Sequence, residues 1–310
     1  MVVTEFEMEE NSGEDETFPQ EDQELMEVED ILEALANKSF SRCWDMTDTK
    51  YVKTGGIAIG NSSKTSTKNS IYAIKVTKGT ETTAKLFTSG LNASSPNTSI
   101  ISSDLGHAND MTYGYDSYTG NHVLFVAPLY NDNIYKINPA THVLQATYTT
   151  DKTYKRGAIA YTGSTSGNNY ITRTRDTTTY HFEYISGTKF YTAKTFNVTF
   201  ENTDVSSTLM QGICVYNNYL YISAKKNTDS NKNNLVYKVT TPIGSISNNA
   251  TVTAERAYNL GAETTVYGGV SRQFEIESID IVNGVCYFAA NINAGSQDSG
   301  IGDFTGKFSM

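Results

Sequence analysis

The chain has 310 residues, a net charge of −10, 21 tyrosines, one tryptophan and five prolines. Tyr, Thr, Ser, Asn and Gly fill the spaces between short apolar runs, a mix that suits exposed strands and turns and excludes a helical bundle. Residues 1–38 hold 14 of the 34 acidic and one of the 24 basic residues. The remainder carries 20 acids and 23 bases, so it is close to neutral and shows no basic stripe for nucleic acid.

The acidic start, residues 1–22, is low in apolar content and is expected to be disordered. It lacks the basic start and apolar stretch of a signal peptide. No segment approaches the ~20 apolar residues needed to cross a bilayer. Residues 23–37 read as a short amphipathic helix, with Leu25, Val28, Leu32 and Leu35 on one stripe. That helix either packs on the domain behind it or serves as a docking element. The predicted organisation is an acidic extension over 1–38 followed by one domain over 39–310.

From residue 55 a pattern repeats: a polar or glycine doublet opens an apolar strand, a turn follows, and a second apolar strand returns. The copies span 55–59 with 71–74, 109–113 with 123–126, 157–161 with 169–172, 211–215 with 219–222, and 277–281 with 285–288. Their starts lie 54, 48, 54 and 66 residues apart, near the ~40–50 residues of a propeller blade. Third strands are expected at 134–137 and 235–239, each closed by a nearby proline, Pro139 and Pro242. Fourth strands are weaker, with 143–148 the clearest. The fifth copy lacks an outer strand, which residues 40–46 would supply beside 304–309, closing the ring and removing its open edges. The predicted fold is therefore all-β, a five-bladed β-propeller with an N-terminal extension and helix. An irregular β-sandwich is the alternative.

In a propeller the first strands of the blades line the central channel, so equivalent positions converge. The alignment places Gly55, Asn109, Gly157, Gln211 and Glu277 at one level, with Lys53, His107, Lys155, Leu209 and Glu275 two residues earlier. One mouth is thus expected to hold Lys53, His107, Asn109, Asp110, Lys155, Gln211, Glu275 and Glu277 as a ligand-binding set. Such donors and acceptors suit sugars, polyols or phosphates. The alternative is a polar channel whose side chains only satisfy strand-end backbone groups.

Catalysis is left open. Asp110 with Glu275 or Glu277 would supply the carboxylate pair of a glycoside hydrolase or lyase. Invertase-like five-bladed hydrolases carry Asn-Asp-Pro early and Arg-Asp-Pro midway. Here Met111 follows Asn109 and Asp110, and Arg175 with Asp176 is expected to fall beyond the second strand of its blade, away from the channel. Cys43, Cys214 and Cys286 have neither paired nor metal-ligand spacing, and the last two read as buried thiols. The four histidines are scattered. Residues 229–234 offer too few ligands for a defined calcium site, and no cofactor is implied.

His107, Asn109 and Asp110, then Gln211 with Gly212, then Phe274, Glu275 and Glu277 each open a repeat. In these motifs residues 40–310 resemble the five-bladed propellers of receptor-binding proteins from phages of Gram-positive bacteria, to which helveticin-type bacteriocins are related. The resemblance implies a tail or fibre adhesin carried on the virion, made in the host cytoplasm. It implies binding to a cell-wall glycopolymer such as teichoic acid, commonly as a homotrimer. Residues 1–38 would then be the contact to other virion or tail proteins. A third reading is a structural propeller whose tail docks a partner.

Overall fold

The computed structural model describes residues 38–77, 83–201, 210–225, 234–260, 264–267, 270–292 and 300–310. The helix expected over 23–37 lies outside these residues, as does most of the 229–234 loop. The described residues are all-β, apart from one short 3-10 turn at Ile243–Ser245.

Four antiparallel meanders follow one another along the chain. The first runs β2 (Tyr51–Gly60), β3 (Ser70–Thr77), β4 (Ala84–Gly90) and β5 (Asn97–Ile101). The second is β6 (Asp110–Asp116), β7 (Asn121–Ala127), β8 (Ile134–Ile137) and β9 (Leu144–Thr150). The third comprises β10 (Arg156–Tyr161), β11 (Tyr170–Thr174), β12 (Thr179–Ser186) and β13 (Lys189–Phe200). The fourth comprises β14 (Met210–Tyr216), β15 (Tyr219–Lys225), β16 (Asn234–Val239) and β17 (Ala250–Asn259).

The last sheet joins both ends of the described chain. β19 (Val270–Val282) pairs with β20 (Val285–Ile292), β20 with β21 (Phe304–Ser309), and β21 with β1 (Ser41–Asp45); β18 (Thr264–Tyr267) adds to β19. The expected pairing of 40–46 with 304–309 is found in the register Ser41↔Lys307 and Asp45↔Phe304. A buried ion pair secures the join. Lys75 Nζ lies 2.7 Å from Asp303 and also donates to the Met46 and Gly300 carbonyls. Asp303 further accepts from Thr54 and from the Ile292 amide.

Two hairpin turns show the local chemistry that starts each return strand. Asn217 and Asn218 both have positive φ, as do Asn283 and Gly284. A two-residue turn of that kind matches the right-handed twist of its strands, and Asn and Gly tolerate it best.

Burial falls from the first strand of a meander to the last. β6 is buried along almost its whole length, whereas β9 and β17 alternate between covered and exposed positions. A strand covered on both faces reads as a continuous apolar run, and a half-covered one alternates. The first strands neighbour one another in a closed cycle: β2 beside β6, β6 beside β10, β10 beside β14, β14 beside β19, and β19 beside β2. The apolar core follows the same cycle. One cluster lies between the first and second meanders (Ala58, Tyr113), another between the second and third (Phe125, Tyr170), and another between the third and fourth (Ile171, Ile213). Cys214 packs with Ile279 and Cys286 between the fourth meander and the last sheet, and Ile57 packs with Trp44 and Tyr287 across the join. Both cysteines are buried free thiols, in line with the sequence reading. This is a β-propeller-like arrangement, because alternate residues of one strand meet the two neighbouring sheets.

The weak outer strands hold a feature that the repeat pattern did not reveal. β13 pairs in parallel with β17 over Phe196–Phe200 and with β9 at Lys189 and Phe190. Three meanders are thereby joined at their rims as well as at their inner edges.

Candidate functional site

The starts of the first strands meet at one end of the axis, where a cavity of about 320 Å³ opens. Six of the eight expected residues line it: Lys53, His107, Asn109, Gln211, Glu275 and Glu277. They span 224 residues of chain, and the antiparallel meanders bring them to one place.

Their polar groups are mutually held. Gln211 Nε2 donates to Glu275 at 2.9 Å, and Lys225 Nζ reaches the other oxygen of the same carboxylate at 2.5 Å. Glu277 accepts from the Asn291 side-chain amide. Asn109 Nδ2 donates to the Gly157 carbonyl at 2.7 Å, so part of its role is to satisfy the neighbouring strand. His107 packs edge-on against Tyr130, which is 43% exposed and has the Arg175 guanidinium 4.7 Å from its ring centroid.

Asp110 departs from the expectation. It is fully buried and does not line the cavity. Successive side chains of a strand point to opposite faces, so with Asn109 at the mouth Asp110 turns to the axis below. There it ties the first strands together. Oδ2 accepts the amides of Ile159 and Ile213 at 3.0 and 3.1 Å, from β10 and β14. Oδ1 accepts the Met111 amide and the Ser278 hydroxyl, from β6 and β19. Ser278 Oγ in turn accepts the Ile57 amide of β2 at 3.0 Å. Burial pushes the Asp110 carboxyl up to about 7, against the four donors that pull it down. Gly212 is required here: a Cβ on it would sit 2.7 Å from Asp110 Oδ1.

Lys155 also differs. Its side chain is exposed and outside the cavity lining, because the residue lies in the loop before β10. Arg175 and Asp176, expected to fall away from the channel, do line the cavity. The register explains it: Arg156 at the start of β10 faces Thr174 at the end of β11, so the turn after β11 lies at the mouth. Arg175 Nε lies 2.9 Å from Asp176. Arg173 was missed altogether; it is 1% exposed, lines the cavity, and donates through Nη2 to the Met210 carbonyl at 2.8 Å. Its burial lowers the proton affinity of the guanidinium. The sequence signal was an arginine in the second strand of the repeat that opens on Gly157.

At the opposite ends of the first strands a second cavity, of about 410 Å³, is lined by Tyr113, His122, Tyr161 and Tyr216 with Lys68. His122 stacks on Tyr113 there, and burial lowers its proton affinity.

Fold and cavity together define a β-propeller-like protein with a polar mouth at one end of its axis. No protein-family model matches the chain, and no curated protein matches it. Solved structures do. The tail fibre of Staphylococcus aureus phage P68 superposes with a TM-score of 0.50 at 12% identity, over 88% of this chain and 53% of that one. This chain thus spans about half the length of the fibre. The glutaminyl cyclase of Myxococcus xanthus gives a TM-score of 0.48 at 9% identity, over 88% of this chain and 98% of that one. The PQQ-bound aldose sugar dehydrogenase of Streptomyces coelicolor gives 0.39 at 11% identity, over 85% and 83%. At 12% identity the likeness to the fibre is one of fold. Among the described residues no helix is long and apolar enough to cross a membrane.

Proposed function

We propose that residues 39–310 form a five-bladed β-propeller whose polar mouth is the non-catalytic binding site of an adhesin. Its ligand is a cell-wall glycopolymer, of teichoic-acid or other polyol or sugar character. The observation that carries this reading is the gathering of Lys53, His107, Asn109, Gln211, Glu275 and Glu277 in one cavity. Directional donors and acceptors around a concavity are what polyhydroxylated ligands need. Exposed Tyr130 at the rim adds an aromatic face for a sugar ring. The blade number is supported by the closed cycle of first strands and by the core clusters between successive sheets.

The hydrolase reading loses its first carboxylate, since Asp110 is enclosed and saturated by four donors. A placement on a phage tail draws support from the fold shared with the P68 fibre, and residues 1–38 are then the contact to other virion proteins. The test incubates the full chain with a panel of purified wall polymers and glycans, following retention and released product together. The expected result is retention without product. Joint replacement Gln211→Ala and Glu275→Gln should weaken retention by about tenfold or more, ~1.4 kcal/mol. Release of soluble fragments, lost on Glu277→Gln, would instead establish a hydrolase.

A further inference from the structure

The cavity lining includes Arg173, which forms no direct ion pair among the described residues; Asp110 and Asp176 act on it only through space. Arg173 sits on β11, 1% exposed, and only its Nη2 is engaged, by the Met210 carbonyl at 2.8 Å and the Gln211 carbonyl at 3.4 Å. Among the described residues no atom accepts from its Nε or Nη1. The acids around the mouth have other partners: Glu275 pairs with Lys225 and Gln211, Asp176 with Arg175, Glu277 accepts from Asn291, and Asp110 from its four donors. Arginine keeps its proton in proteins, so it does not escape burial by becoming neutral. An enclosed guanidinium with unanswered N–H groups is costly unless an anion reaches it.

The neighbouring strand is shaped around this side chain. Gly157 stands at the ring level where three other repeats carry Asn109, Gln211 and Glu277 and the first carries Gly55. A Cβ there would lie 3.0 Å from Arg173 Nη2 and 3.3 Å from its Cζ. The third repeat thus leaves its own position bare, and an arginine from its second strand occupies the space.

We propose that the mouth seats an oxyanion, a phosphate or carboxylate group borne by the ligand, on Arg173. This inference rests on the mouth being the ligand site, and it adds the charge that the ligand must carry. Charge-assisted N–H···O⁻ bonds are about twice as strong as neutral ones, so the anion is the anchor and the amide and acid side chains around it read the hydroxyls.

The experiment titrates the full chain by calorimetry at constant ionic strength with four probes: inorganic phosphate, glycerol 3-phosphate, glucuronate and uncharged glucose. Saturable binding is expected for at least one anion. The phosphate and glucuronate arms distinguish a polyol-phosphate ligand from an acidic sugar. Arg173→Gln should weaken that binding by more than about tenfold. Gly157→Ala, which keeps the arginine but displaces it, should weaken it as well, and Lys155→Gln on the exposed loop should leave it unchanged. Should Arg173→Gln fail to fold, Gly157→Ala carries the test, with the anion's elevation of Tm in the wild-type chain over equal ionic strength of chloride as second readout. Absence of saturable binding for all three anions, or binding by the Arg173→Gln and Gly157→Ala variants equal to that of the wild-type chain, overturns the inference. Wall-polymer retention persisting in that case leaves the mouth as the binding site with a neutral ligand. Loss of both disposes of the mouth reading itself.

Discussion

Replacing Asp110 by Asn should show that this carboxylate holds the sheets together at the axis. Asn presents one acceptor oxygen and a donor amide, so either the Ile159 and Ile213 amides or the Met111 amide and Ser278 hydroxyl lose their acceptor. Each buried donor left unanswered costs about 1–3 kcal/mol, giving a loss of about 2–6 kcal/mol. The pH dependence follows from the direction of the shift. A carboxyl raised from 3.8 to about 7 by burial binds more protons folded than unfolded. Its contribution to stability is therefore complete below the unfolded value and lost as pH rises through 7, by about 3 kcal/mol between pH 5 and pH 8. Urea unfolding followed by the fluorescence of Trp44, the single and buried tryptophan, measures both effects. The gap between wild type and Asp110→Asn should be about 2–6 kcal/mol at pH 8, where the carboxyl is ionised, and should be about 3 kcal/mol wider at pH 5. An unchanged urea midpoint, or a gap that does not move with pH, would refute the assignment of Asp110 as the tie between first strands.

Asp303→Asn should destabilise the chain by about 3–5 kcal/mol, since it leaves Lys75 charged and buried without its partner; calorimetric Tm against wild type decides it. Acid should weaken the second meander through Asp116. Burial raises this carboxyl, but Lys136, Thr119 and Tyr148 outweigh it and hold it below the usual carboxylate range. Its stabilising effect is present above the unfolded value and lost as pH falls, so Asp116→Asn should lessen the acid dependence of unfolding. Tyr130→Ala should reduce wall-polymer retention several-fold without lowering Tm, because the ring is exposed at the rim. A fall in Tm equal to that of a core substitution would assign Tyr130 to packing.

How much of this was legible depends on where a strand sits. The apolar runs at 71–74, 123–126 and 219–222 stand out because β3, β7 and β15 are covered on both faces. The outer strands carry Thr, Asn and Glu at exposed alternate positions, so β13 and β17 gave only a faint signal. Their parallel pairing depends on contacts some 50 residues apart that no local pattern encodes. The mouth was readable to the extent that repeat alignment fixes the level of a residue. Alignment does not fix which side of the strand it takes, and Asp110 was displaced to the axis for that reason. Arg173 escaped because it enters from a second strand over the bare Gly157, and Arg175 and Asp176 because the β10–β11 register returns their turn to the mouth.

Everything said of the mouth requires the two ends of the described chain to share one sheet. Cys43 on β1 lies beside Thr305 on β21, so the single substitution Thr305→Cys creates a pair separated by 262 residues of sequence. Mild oxidation followed by peptide mass spectrometry should recover a disulfide between positions 43 and 305. Linkage of the introduced thiol to Cys214 or Cys286 instead, or none at all in folded protein, would contradict the closed ring.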